Sequence, residues 1–142
     1  MNTKKLAIAA LTAGACFAFA GAASAEKMTM KVPLTSTAEV PPNTSAGKGE
    51  ADVTYDTATK TLTWKVTYSG LTGPATMAHF HGPAEAGKNA PVVVPFKDAA
   101  SGIEGSATLT DAQAADLTSG KMYINVHTEA NKGGEIRGQV VK

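Results

Sequence analysis

The chain has 142 residues, with 13 Lys and Arg against 12 Asp and Glu, three His and a formal net charge of +1. So even a balance excludes the basic patch that nucleic acid or an anionic membrane surface would need. The single cysteine, Cys16, lies in an N-terminal apolar run, so the rest of the chain has no disulfide, thiolate metal site or thiol nucleophile, and its core must hold it together.

Residues 1–25 have the order of a signal peptide: Lys4 and Lys5, an apolar run from Leu6 to about Ala20, then Ala23-Ser24-Ala25 as a cleavage site. Lipid attachment at Cys16 fits less well, because Ala13 stands where a lipobox prefers leucine and apolar sequence continues past the cysteine. The expectation is export, to a periplasm or out of the cell, with no stable membrane insertion after cleavage. Without Lys4 and Lys5, 11 basic residues face 12 acidic ones, and residues 26–142 form one domain.

From there the apolar pattern has period two. Met28, Met30, Val32 and Leu34 alternate with polar residues, as do Ala51, Val53 and Tyr55, and then Leu62, Trp64, Val66 and Tyr68. Turn-forming stretches punctuate the runs at Val40-Pro41-Pro42-Asn43, at Asp56 to Lys60 and at Ser69 to Pro74. "ATMAHFH" (75–81) reads as a strand, "PVVVPF" (91–96) as an edge strand bracketed by prolines, and "IEGSATL" (103–109) as another strand. Thr110-x-x-Gln113 is a capping box that predicts a two-turn helix over 111–118, ended by Gly120. "KMYINVHT" (121–128) and "GEIRGQVV" (134–141) then form a hairpin. Seven or eight short strands with one short helix predict an all-β fold, an antiparallel Greek-key β-sandwich of the immunoglobulin or superoxide-dismutase kind, or a closely related barrel.

Strand alternation sorts the polar residues. Phe80 faces the core, so His79 and His81 share the other face; Met122, Ile124 and Val126 face in, so Tyr123, Asn125 and His127 face out. In the last strand Glu135, Arg137 and Gln139 point away from the core. With the hairpin turn centred on 130–132, His127 stands opposite Glu135 at about 5 Å, with Arg137 diagonal at about 7–8 Å. Residues i and i+2 of a strand lie about 7 Å apart, close enough for His79 and His81 to converge on one ion at about 2 Å from each nitrogen. His127 completes a three-histidine metal site if strand 75–81 lies beside strand 121–128, with Asn125 and Glu135 as supporting polar groups around it. A solvated pair and an ordinary cross-strand ion pair are the competing reading of the same residues.

The segments "EVPP", "GLTGPATMAHFHGPAEAGKNAPVVV", "LTSGKMYINVHT" and "GGEIRGQV" resemble, in this order, signature segments of the CHRD domain, a family named for chordin that includes bacterial exported proteins. The resemblance spans about Met28 to Val141. It implies a β-rich extracytoplasmic module and carries no reaction, ligand or partner common to the family. More locally, His79-x-His81, His127 and Arg137 are similar in order and type to the copper ligands and the superoxide-attracting arginine of Cu/Zn superoxide dismutase. The bridging histidine, the zinc ligands and the bracing cysteine pair of that enzyme are absent, so any metal here is mononuclear. Three imidazoles suit copper better than zinc.

Two readings of function stand open. One is a non-enzymatic exported binding module whose partner is a protein, a matrix component or a metal ion. The other is a mononuclear copper protein with superoxide-dismutase-like or other redox activity, in which Arg137 has a catalytic role. Met28-x-Met30 offers a soft Cu(I) patch or simply core, and the 82–91 loop a ligand rim or simply a long turn.

Overall fold

The structure is a computed structural model that describes residues 24–142. The expected signal segment lies outside the described residues except for its last two positions. No helix among the described residues is long and apolar enough to cross a membrane.

Eight strands and one helix follow in the order β1 (Lys27–Thr35), β2 (Lys48–Asp56), β3 (Thr61–Ser69), β4 (Ala75–His81), β5 (Val92–Pro95), β6 (Ile103–Thr108), α1 (Asp111–Thr118), β7 (Tyr123–Thr128) and β8 (Ile136–Gln139). The period-two runs become strands because each can bury one face. Met28, Met30, Val32 and Leu34 of β1 are all buried while their neighbours face water, and Val53 and Trp64 continue that layer on β2 and β3. Met28 and Met30 are thus core residues. The helix starts as the capping box predicts: Gln113 N donates to Thr110 Oγ1, and Thr110 N donates to Gln113 Oε1.

The strands form one antiparallel sheet in the order β5-β4-β7-β8-β1-β2-β3-β6. The fold is all-β as expected, with the two halves of the sandwich joined edge to edge through the Thr35↔Arg137 pairing of β1 with β8. The halves meet at their inner faces. Trp64 of β3 packs edge-on against Phe80 of β4 at 5.2 Å and stacks on Phe96 at 4.8 Å. Gly138 of β8 lies against the Pro33 carbonyl, Val32 and Leu34, so the β1–β8 seam is closed by the absence of a side chain.

The outer faces of the halves differ. On β1-β2-β3-β6 the outer face is in water and carries cross-strand pairs, Lys31 with Glu50 and Asp52, and Lys65 with Glu104. Exposed pairs of this kind contribute about 0–1 kcal/mol each. On β4-β7-β8 the outer face is roofed except at Met77 and, in part, His79. All six residues of β7 are buried, and so are His81, Asn125, His127 and Arg137, although alternation points them away from the core. Alternation fixes the face, while the loops decide whether that face meets water.

Candidate metal centre

Strand β4 pairs directly with β7, with Met77 opposite His127, His79 opposite Asn125 and His81 opposite Tyr123. This register brings the three histidines together. A nitrogen from each of His79, His81 and His127 lies within 4.8 Å of the other two. The rings approach at 5.3 Å (His79 and His81) and 4.9 Å (His79 and His127) between centroids.

Backbone carbonyls set the tautomers. His81 Nδ1 lies 2.9 Å from the Ala90 carbonyl and His127 Nδ1 lies 2.8 Å from the Lys132 carbonyl. A carbonyl only accepts, so both Nδ1 atoms carry the proton and both Nε2 atoms present a lone pair. His81 Nε2 is buried and has no hydrogen-bond partner among the described residues. His127 Nε2 faces His79 Nδ1 at 3.2 Å and Asn125 Oδ1 at 2.9 Å. The Nε2 lone pairs of His81 and His127 therefore point into one small volume beside Asn125 Oδ1, and His79 Nδ1 either donates to His127 Nε2 or, as the other tautomer, adds a third lone pair. This orientation of ligands by hydrogen bonds on their far side is how metal-binding histidines are held.

Burial and the two neighbouring rings push the His79 imidazole down to about 4, and burial lowers His127 as well. Both rings are neutral at physiological pH, the form that ligates a metal. His79 is the least buried of the three and gives the cluster its opening to solvent.

The roof comes from the 82–91 loop. Besides the Ala90 carbonyl on His81, Asn89 Oδ1 accepts from Arg137 Nη1 at 2.9 Å, the Lys88 carbonyl accepts from Arg137 Nη2, and the Ala90 amide donates to the Tyr123 hydroxyl. Tyr123 stacks flat on His81 at 4.7 Å, and the Arg137 guanidinium carbon lies 3.4 Å from the centre of the Tyr123 ring. Arg137, 2 % exposed, is thus stacked on Tyr123, which in turn stacks on His81. The loop is a rim that reaches the site, and its contributing atoms are largely backbone.

Asn125 Oδ1 stands 2.9 Å from His127 Nε2. Glu135 does not reach the histidines. Its carboxylate accepts from Ser45 Oγ, from Thr72 N and Oγ1, and from Thr128 Oγ1, so it ties two loops to the end of β7. Reasoning from sequence missed Glu39, which is 3 % exposed and lies beside Asn125 and Arg137. Its only signal was its place in "EVPP".

These two carboxylates bias stability in opposite directions. Burial pushes Glu39 up from 4.5 to about 7 against the pull of Arg137, Asn125 and the Val40 amide. Burial would also raise Glu135, but its hydroxyl and amide donors overcome that and hold it at about 2. The Glu135 contribution is present above about pH 4.5 and is lost as pH falls towards 2. The Glu39 contribution is complete below about 4.5 and is lost as pH rises through 7, because the folded state then holds the proton more tightly than the unfolded one. The depressed His79 and His127 imidazoles act the other way, adding stability as pH rises from about 4 to 6.5, so the Glu39 contribution is read from urea unfolding over pH 3 to 8 as a difference from its variant, up to about 3 kcal/mol between pH 4.5 and 7. Glu39→Gln should gain on the wild type as pH rises from 4.5 to 7, and Glu135→Gln should flatten the acid limb; unchanged profiles in both variants would contradict this assignment.

The family model described as the CHRD domain matches residues 30–140, from the second buried methionine of β1 to the end of β8. No curated protein and no solved structure matches the chain. With a match that spans nearly all of the described residues, the chain belongs to the CHRD domain family.

Proposed function

We propose that this protein is an exported CHRD binding module that holds one copper ion through His79 Nδ1, His81 Nε2 and His127 Nε2. The observation that carries this reading is the convergence of three imidazole nitrogens within 4.8 Å, two of them with tautomers fixed by backbone carbonyls. Copper is preferred to zinc because an all-imidazole set lies within its range and its affinity for such donors is higher. Export rests on the Lys4-Lys5, apolar and Ala-Ser-Ala sequence of residues 1–25.

Binding is favoured over redox catalysis by the state of Arg137. A residue that guides an anion to a metal needs a free guanidinium facing the open position. Here the guanidinium is bound by Lys88 and Asn89 and is stacked on Tyr123. The half-exposed His79 side leaves room for exchange of the ion with solvent or with another carrier.

A metal that binds the folded state alone raises the unfolding temperature by mass action. Free Cu(II) at about 100 times its dissociation constant adds about 2.7 kcal/mol, or roughly 10 °C for a domain of this size. Thermal unfolding with and without Cu(II) should show that rise, with a smaller one for Zn(II). An unchanged midpoint in excess copper would overturn the proposal.

A further inference from the structure

The outermost strands of the sheet, β5 and β6, face each other across a cleft of about 770 Å³ on the side away from the β1–β8 seam. Its walls include Val93 and Pro95 from β5 and Glu104 and Ser106 from β6, with Trp64 and Gly105 between them. Antiparallel ladders bond through alternate residues. Phe96 N donates to the Ala78 carbonyl, which turns the backbone groups of Val94 and Phe96 towards β4 and leaves the Pro95 carbonyl facing the cleft, while the bulge opposite Phe80 and His81 interrupts the alternation at Val93. Leu109 N donates to the Lys60 carbonyl, which turns the odd-numbered residues of β6 towards β3 and leaves Glu104, Ser106 and Thr108 facing the cleft.

A second observation concerns Trp64. It is 6 % exposed, and its Nε1–H has no acceptor among the described residues. Buried indole N–H groups ordinarily find a partner. This one lies under Gly105, where a Cβ would collide with the indole ring, so β6 carries no side chain at the point where the donor approaches the cleft.

We propose that an extended peptide segment of a partner protein inserts between β5 and β6, extends the β6 ladder, donates to the Pro95 carbonyl of β5 and places an acceptor on Trp64 Nε1. A backbone in extended form presents donors and acceptors at the strand repeat to both edges at once, the mode of recognition by added strands. Lys97 and Glu104, one charge of each sign, border the cleft, which suits a segment with little net charge. The four-residue length of β5, with Pro91 before it and Pro95 as its last residue, blunts that edge against indiscriminate pairing with other copies. This slot is separate from the histidine cluster and does not depend on a bound metal.

The test uses a capped hexapeptide that alternates threonine and valine, and the same peptide N-methylated at alternate residues. Trp64 is the only tryptophan in the chain, so its fluorescence reads the cleft directly. The unmodified peptide should shift that emission saturably and slow amide exchange at Ser106, and the methylated one should bind at least roughly tenfold more weakly. Ser106→Pro, which removes an edge N–H without touching the β3 ladder, should weaken binding similarly; should that variant not fold, the methylated peptide decides alone. Absence of a saturable shift at millimolar peptide would overturn the proposal. So would equal binding of the methylated peptide, which would assign the cleft to a ligand held by its side chains. A shift that grows with protein concentration alone would assign the slot to a second copy and overturn it as well.

Discussion

His81→Ala is expected to lower Cu(II) affinity by roughly 10²–10³-fold. Four-ligand structural zinc sites bind with apparent energies of about 10–16 kcal/mol, which puts one ligand at about 3–4 kcal/mol and sets that range. The effect should be largest here because His81 Nε2 is buried, oriented by the Ala90 carbonyl and free of any competing hydrogen bond. Asn125→Ala should cost less, about 10–100-fold, because it removes a group that touches His127 rather than a ligand. Calorimetric titration of the two variants beside the wild type gives the ranking. Equal affinity of His81→Ala and wild type would remove His81 from the ligand set. The substitution also takes away the ring under Tyr123, so the circular dichroism of the variant must match the wild type for the comparison to count.

Gly138→Ala is expected to be the most damaging single methyl group in the protein. A Cβ at this position would fall well inside contact distance of the Pro33 carbonyl oxygen and crowd Val32 Cγ1 and Leu34 Cδ2. Flexible side chains yield to an added methyl, but a strand backbone does not, so β8 must move away from β1. Overpacking typically costs about 1–3 kcal/mol and occasionally more. The seam that would open is also the junction between the two halves of the sheet, registered at Thr35↔Arg137. A loss of at least about 3 kcal/mol is therefore expected, read as a fall in the urea midpoint. Displacement of β8 also moves Arg137, so the 82–91 roof should loosen and its amides exchange faster. A variant as stable as the wild type would contradict the packing described at this seam.

Much of this architecture was legible because the protein obeys simple alternation. Met28 to Leu34, Ala51 to Tyr55 and Leu62 to Val66 each put an apolar side chain on the inner face at every second position, and the structure buries them accordingly. The common face of His79, His81, Asn125, His127 and Arg137 followed from the same parity. The adjacency of β4 and β7 did not, because β5, β6 and α1 intervene in the chain and the pairing is fixed by how the whole sheet is ordered. The burial of that face was equally hidden. It depends on the Lys88, Ala90 and Lys132 carbonyls, and a carbonyl leaves no mark on the sequence. Glu135 shows the limit from the other side. Regular hairpin alternation would set it opposite His127, but the ladder ends at Val126↔Ile136, the Glu135 amide bonds the Val126 carbonyl, and hydroxyls from Ser45, Thr72 and Thr128 take up its carboxylate.

The measurement closest to the central claim is the Cu(II) paramagnetic resonance spectrum of the protein loaded with one equivalent, beside a His79→Ala/His81→Ala/His127→Ala variant. The three-histidine centre predicts a single species with hyperfine coupling to three nitrogens, absent from the triple variant although that variant remains folded. A spectrum of weakly held copper with mixed oxygen ligation, the same in both proteins, would contradict it and leave the cluster as a buried polar network beneath the 82–91 loop.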